Sequence, residues 1–274
     1  MLQTVRNGLS KERLRPDIWK PEQKRSNALY QPNDNPLYKS AIRNGVREYD
    51  FPTNGLVLYA PLYLCRGSKF KSVDLYRHSC TVTGAVWGST GRTFDGIDDN
   101  INLGNISTLN FERTDPFSVF AWVKRTTNGA THFIAGKRGS DVPYRGWNIV
   151  LSSDNKFRFE LCNAVAGSLY LSVASNSTFT DTNANLFLAA TYSGSGLTTG
   201  VLLYSAGVLL ADTDEVNTLG SNTIQSTNNF AIGSRNAAVS VPLAGIMGEV
   251  WVYSRALSVG EILHIYNTSK WRYV

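Results

Sequence analysis

"LAGIMGEVWVYSRALSVGEILHIYN", residues 243–267, changes period half-way along its length. In the first half Ile246, Gly248, Val250 and Val252 alternate with Met247, Glu249, Trp251 and Tyr253, which is the two-residue repeat of a pleated strand. In the second half Ser258 and Glu261 stand three apart, the spacing of a capping box that opens a helix. Ile262, Ile265 and Tyr266 then share one face of that helix. The stretch predicts a long strand followed by one short helix.

Upstream, strand-like patterning hardly pauses. "GLVLYAPLYL" (55–64) is a nearly continuous apolar run, suited to a strand covered on both sides. In "FSVFAWVK" (117–124), Phe117, Val119, Ala121 and Val123 alternate with Ser118, Phe120, Trp122 and Lys124. In "KFRFELC" (156–162), Phe157, Phe159 and Leu161 oppose Lys156, Arg158 and Glu160. "GVLLYSAGVLLAD" (200–212) reads as a hairpin, with Gly207 supplying the permissive backbone at its turn. About a dozen such strands at this spacing predict an all-β, two-sheet antiparallel sandwich.

The composition agrees. Of the 274 residues 42% are hydrophobic, enough for a substantial core, and only 18% are charged, below the roughly 25% usual for globular domains. Cys65, Cys80 and Cys162 are an odd number without metal-ligand spacing, so no disulfide framework is implied. The sequence shows no secretory signal and no run of about 18 apolar residues, so neither export nor membrane insertion is expected.

Residues 1–50 read differently. Pro16, Pro21, Pro32 and Pro36 interrupt any long helix, and strand alternation is missing. Ten Lys/Arg against six Asp/Glu make the segment mildly basic, with mixed signs that do not point to nucleic acid. Ile18, Trp19, Leu29, Tyr30, Leu37, Tyr38 and Ile42 recur as apolar points between polar linkers. Such a segment buries too little to fold alone, and its spaced hydrophobes suit anchors laid along another surface. The expected organisation is an extended anchoring arm over 1–50 and a sandwich over 51–274.

"RTFDGIDDNINLGN", "FSVFAWVK", "NLFLAATYSG", "GVLLYSAGVLL", "FAIGS" and "GIMGEVWVYSRALSVGEILHIYN" follow one another in that order. Together they resemble the laminin G-like branch of the concanavalin A-like lectin/glucanase superfamily, over about residues 55–267. The resemblance implies a jelly roll of two curved antiparallel sheets, with the short helix packed beside the closing strand. In that family the closing segment commonly reads G-x-I-D-E-V. Here Gly248 replaces the acid, while Glu249 is retained.

Three kinds of chemistry follow for consideration. Glucanase members use clustered carboxylates on one strand, but no E-x-D-x-x-E arrangement occurs, and His78, His132 and His264 are scattered in sequence. A non-enzymatic protein is expected, with glycoside hydrolysis the remote alternative. Asp98 and Asp99, with Asp95 and Asn100 beside them in a Gly-containing loop, offer oxygens to calcium, the one cofactor the sequence raises. The same "FDGIDDN" also reads as a turn whose carboxylates cap backbone amides. For glycan binding, Tyr144, Arg145, Trp147 and Asn148 offer a ring with polar neighbours, while Trp147 reads equally as core.

Two functions remain. In the first the chain is a structural protein of a virus particle, such as a phage decoration or spike subunit. It would be made in the host cytoplasm, anchored by its arm to capsid or other virion proteins as a homo-oligomer, and its displayed sandwich would adhere to cell-surface glycans. In the second it is a free carbohydrate-binding or calcium-dependent lectin module.

Overall fold

The structure, a computed structural model, describes residues 51–274 except Val239, together with the backbone of a short ladder between β1 (Ile42–Arg43) and β2 (Val46–Arg47). The side chains proposed as arm anchors, Ile18 to Ile42, lie outside the described residues.

The sandwich begins with β3 (Leu56–Pro61), β4 (Lys69–Lys71), β5 (Ser79–Thr83), β6 (Val86–Gly88), β7 (Gly91–Asp95) and β8 (Asn100–Gly104). The long strands follow: β9 (Phe117–Arg125), β10 (His132–Arg138), β11 (Gly146–Leu151), β12 (Lys156–Ala164), β13 (Leu169–Thr178) and β14 (Leu186–Tyr192). Then come β15 (Val201–Ser205), β16 (Val208–Leu209), β17 (Asp212–Asn217), β18 (Phe230–Ile232) and β19 (Ala244–Tyr253), before the helix α1 (Val259–Ser269).

Nine strands form one sheet in the order β17-β13-β12-β11-β10-β18-β8-β5-β4. Eight form the other, ordered β16-β15-β14-β9-β19-β7-β6, with β3 also paired to β19. Every pairing is antiparallel, and sequence neighbours are repeatedly separated across the two sheets. This is the two-sheet antiparallel sandwich that the strand pattern predicts, in the jelly-roll form that the family resemblance implies. The 200–212 hairpin turns at Ala206 and Gly207, both with positive φ (51° and 77°), as a two-residue turn of the twist-matched type requires.

Between the sheets, Phe117, Val119, Ala121 and Val123 of β9 meet Trp147, Ile149, Leu151, Phe157, Phe159 and Leu161, all buried. The alternate residues of β9, Phe120 and Trp122, are buried too. They join Trp251 and Tyr253 in a second apolar layer on the outer face of the eight-stranded sheet, roofed by Ile262 and Ile265 of α1. The helix is therefore required, because without it this aromatic face would lie open to water. Ser258 and Glu261 form the expected capping box, and the Trp122 indole N–H donates to Ser269 Oγ at 2.8 Å.

One sequence reading is corrected. Strict alternation puts Met247 on the side opposite Val250, but the pairing of β19 with β9 slips between Met247 and Glu249. The bulge turns the strand at Gly248, so Met247, Val250 and Val252 all face the inter-sheet core. The cysteines are all free and buried.

Candidate functional site

Three loops meet at one end of the nine-stranded sheet and enclose a cleft of about 690 Å³. Asn105, Ser107 and Asn110 come from the loop after β8, Pro143 and Arg145 from the β10–β11 loop, and Gln225 to Asn228 from the loop before β18. The three loops are tied together by hydrogen bonds. Asn110 Oδ1 accepts from the Ser226 amide at 3.0 Å, and the Asn110 carbonyl accepts from Gln225 Nε2 at 3.3 Å. The Arg145 carbonyl accepts from the Gly139 amide at 2.9 Å and from Asn228 Nδ2 at 3.0 Å.

Beneath these loops lies Lys137, only 1% exposed because its strand position points it between the sheets. Its Nζ donates to Asn105 Oδ1 at 2.6 Å and to the Asn228 carbonyl. Burial without a carboxylate partner pushes its ammonium down to about 8. The lining residues carry amides, hydroxyls and one guanidinium, and no carboxylate.

The four residues read from sequence as glycan-binding part company. Arg145 lines the cleft. Trp147 does not present its ring to solvent: it is 1% exposed, packs against Phe117 (ring centres 4.9 Å apart), and donates its indole N–H to the Leu109 carbonyl at 2.9 Å. Alternation along β11 then sends Asn148 to the opposite face of the sheet, where it too is buried. Asn148 Oδ1 accepts from Arg138 Nη1 at 2.7 Å, its Nδ2 donates to Glu160 Oε2 at 2.9 Å, and Arg138 pairs with Glu160. Burial alone would raise the Glu160 carboxyl, but Arg138 and Asn148 outweigh it and hold the group below its usual range. Tyr144 stands half-buried beside the cleft at positive φ (62°), its ring under the Arg235 guanidinium at 5.8 Å. The remaining cleft residues were signalled only by amide density, in "GNISTLN" (104–110) and "SNTIQSTNNF" (221–230).

The acidic loop is a second polar cluster. Carboxylate oxygens of Asp95, Asp98 and Asp99 lie within 4.8 Å of one another. Asp99 Oδ2 accepts the Asp95 amide and Asp95 Oδ1 the Ile97 amide, both at 2.8 Å, so the turn-capping arrangement is present. Gly84 makes room for it, since a Cβ there would fall 1.6 Å from Asp99 Oδ1. Burial and then the neighbouring Asp95 and Asp98 charges raise the Asp99 carboxyl. Three clustered carboxylates are a donor set of the hard-oxygen kind calcium takes.

A family model described as the concanavalin A-like lectin/glucanases superfamily (Laminin_G_3) matches residues 95–263. The chain belongs to that superfamily. Among solved structures it is similar to the binding domain of Paraclostridial Mosquitocidal Protein 1, with 16% identity and a TM-score of 0.56, over 79% of this chain and 52% of that one. It is also similar to the botulinum neurotoxin serotype G binding domain, with 15% identity and a TM-score of 0.60, over 78% and 51%. Trypanosoma rangeli sialidase in complex with sialic acid matches with 17% identity and a TM-score of 0.60, over 85% of this chain but 36% of the enzyme. The chain thus spans about half of each toxin binding domain and about a third of the sialidase, and what it shares with them is the fold. No curated protein sequence matches it.

Proposed function

We propose that the sandwich is a carbohydrate-binding module and that the three-loop cleft is its site. The observation that carries this is the chemistry of the lining. A saccharide presents many hydroxyls, each a donor and an acceptor, and Asn and Gln side chains answer both roles at fixed geometry. Asn105, Asn110, Gln225 and Asn228 supply four such amides around one cavity, on loops pinned to a rigid sheet. Glycoside hydrolysis would need two carboxyls facing the sugar, and none lines this cleft, which favours binding over cleavage there.

The test is a glycan array probed with the full chain, followed by titration of the best ligand. Gln225→Ala is expected to weaken binding about tenfold, the loss of one or two hydrogen bonds, with little change in melting temperature, and Asn110→Ala to weaken it as much while also lowering the melting temperature, because its Oδ1 holds the Ser226 amide. An array without hits, or hits indifferent to both substitutions, would overturn the reading. Trp147→Ala is unsuitable here, because that ring is core.

A second reading is favoured by the spaced apolar residues of 1–50. In it that arm anchors the chain among virion proteins and the sandwich carries the cleft outward. The two readings are compatible, since a displayed binding module serves adhesion.

A further inference from the structure

We infer that the cleft takes an acidic saccharide, whose carboxylate or sulfate is held by Arg145. The inference rests on the carbohydrate reading of the cleft and names the ligand class within it.

Arg145 is fixed at its backbone and free at its tip. Two donors hold its carbonyl. Its side chain makes one long bond, Nε to the Asn163 carbonyl at 3.4 Å, and no ion pair among the described residues. Arg138, at the other end of the same loop, instead spends its charge on Glu160. The two terminal nitrogens of Arg145 are therefore available as the planar fork that grips an oxyanion bidentately.

The remaining polar groups divide by wall. On the 105–110 wall the acceptors are already used: Asn105 Oδ1 takes Lys137, and Asn110 Oδ1 takes the Ser226 amide. Their Nδ2 groups, which make no hydrogen bond among the described residues, are left as donors to the cleft. On the opposite wall the donors are used instead: Asn228 Nδ2 goes to the Arg145 carbonyl and Gln225 Nε2 to the Asn110 carbonyl. That leaves Asn228 Oδ1 and Gln225 Oε1 as acceptors. A ligand that carries both an anionic group for Arg145 and hydroxyls uses the free donors and the free acceptors alike. The buried ammonium of Lys137 in the floor adds a second positive charge, which no lining carboxylate offsets.

The deciding experiment compares uronate-, sialate- and sulfate-bearing oligosaccharides with their neutral parents, titrated into the full chain at low salt. At least one acidic ligand is expected to bind about tenfold to a hundredfold tighter than its parent. Arg145→Gln should abolish that advantage, so that acidic and neutral members bind that variant alike, and Arg145→Lys should restore part of it. The carboxylate and sulfate arms identify the preferred oxyanion. Equal affinity for acidic and neutral members would overturn this inference and leave the cleft reading standing. Absence of binding by every member would overturn both. Melting curves of the two variants separate lost binding from lost folding.

Discussion

Gly248 shows how a single residue registers a contact that lies outside the recognisable pattern. A Cβ at this position would sit 2.5 Å from the Tyr273 ring and its hydroxyl. The family's usual acid therefore has no room here, because Tyr273 folds back over the β19 bulge. Its hydroxyl donates to Glu249 Oε1 at 3.1 Å. Glu249 is fully buried, also accepts from Tyr59 at 2.7 Å, and pairs with Arg272 at 2.8 Å, so the carboxylate clasps β3 and the residues after α1. Burial raises the Glu249 carboxyl despite these partners. Gly248→Ala is expected to displace Tyr273 and destabilise the fold by about 1–3 kcal/mol, a drop of several degrees in melting temperature. An unchanged melting temperature would mean that the ring moves freely. The departure at 248 was visible in the sequence, but its cause was not, because Tyr273 lies beyond the matched stretch. Trp147 was more legible than its two readings suggest. Its same-face neighbours Ile149 and Leu151 are apolar, and that alternation already favours core over surface.

Among the elements, those with strong periodicity were legible and those defined by spatial convergence were not. β9, β12, the 200–212 hairpin and α1 lie where alternation, Gly207 and the capping box put them. The cleft, by contrast, is assembled from loops centred near residues 107, 143 and 226, and no local pattern announces that they will meet. The β7–β8 turn lies between these cases, since its acids were evident while their use was open. The structure shows amide capping, and we propose calcium as an additional ligand of Asp95, Asp98 and Asp99. If the cluster binds calcium, an excess of about ten times Kd adds about 1.4 kcal/mol, or roughly 3 °C in melting temperature. Asp98→Asn, at an exposed position whose carboxylate caps no amide among the described residues, should remove most of that response without unfolding the protein. A melting temperature insensitive to millimolar calcium and to chelator alike leaves the turn as a purely structural device.

For the whole molecule, the decisive question is what residues 1–50 rest upon. The sandwich is engaged from Phe51, whose ring packs edge-on against Tyr59 at 4.9 Å, and the next carbonyl, of Pro52, accepts from the Tyr253 hydroxyl at 2.8 Å. Both contacts lie on the outer, helix-covered side of the eight-stranded sheet. The cleft is built on the other sheet, away from where residue 51 enters the sandwich, and the assembly reading has residues 1–50 docked on a partner. Limited trypsin digestion of the isolated full chain tests this arrangement, because Lys11, Arg13, Lys24, Arg25, Lys39, Arg43 and Arg47 place cleavage sites along the arm. The assembly reading expects rapid loss of the arm and a resistant fragment beginning near residue 51, since spaced anchors without a partner stay accessible. The fragment should then retain the saccharide binding of the full chain. An arm that resists digestion as well as the sandwich does would be docked on its own domain. Recruitment to a particle would then need some other surface, and the protein would be better described as a self-contained binding module.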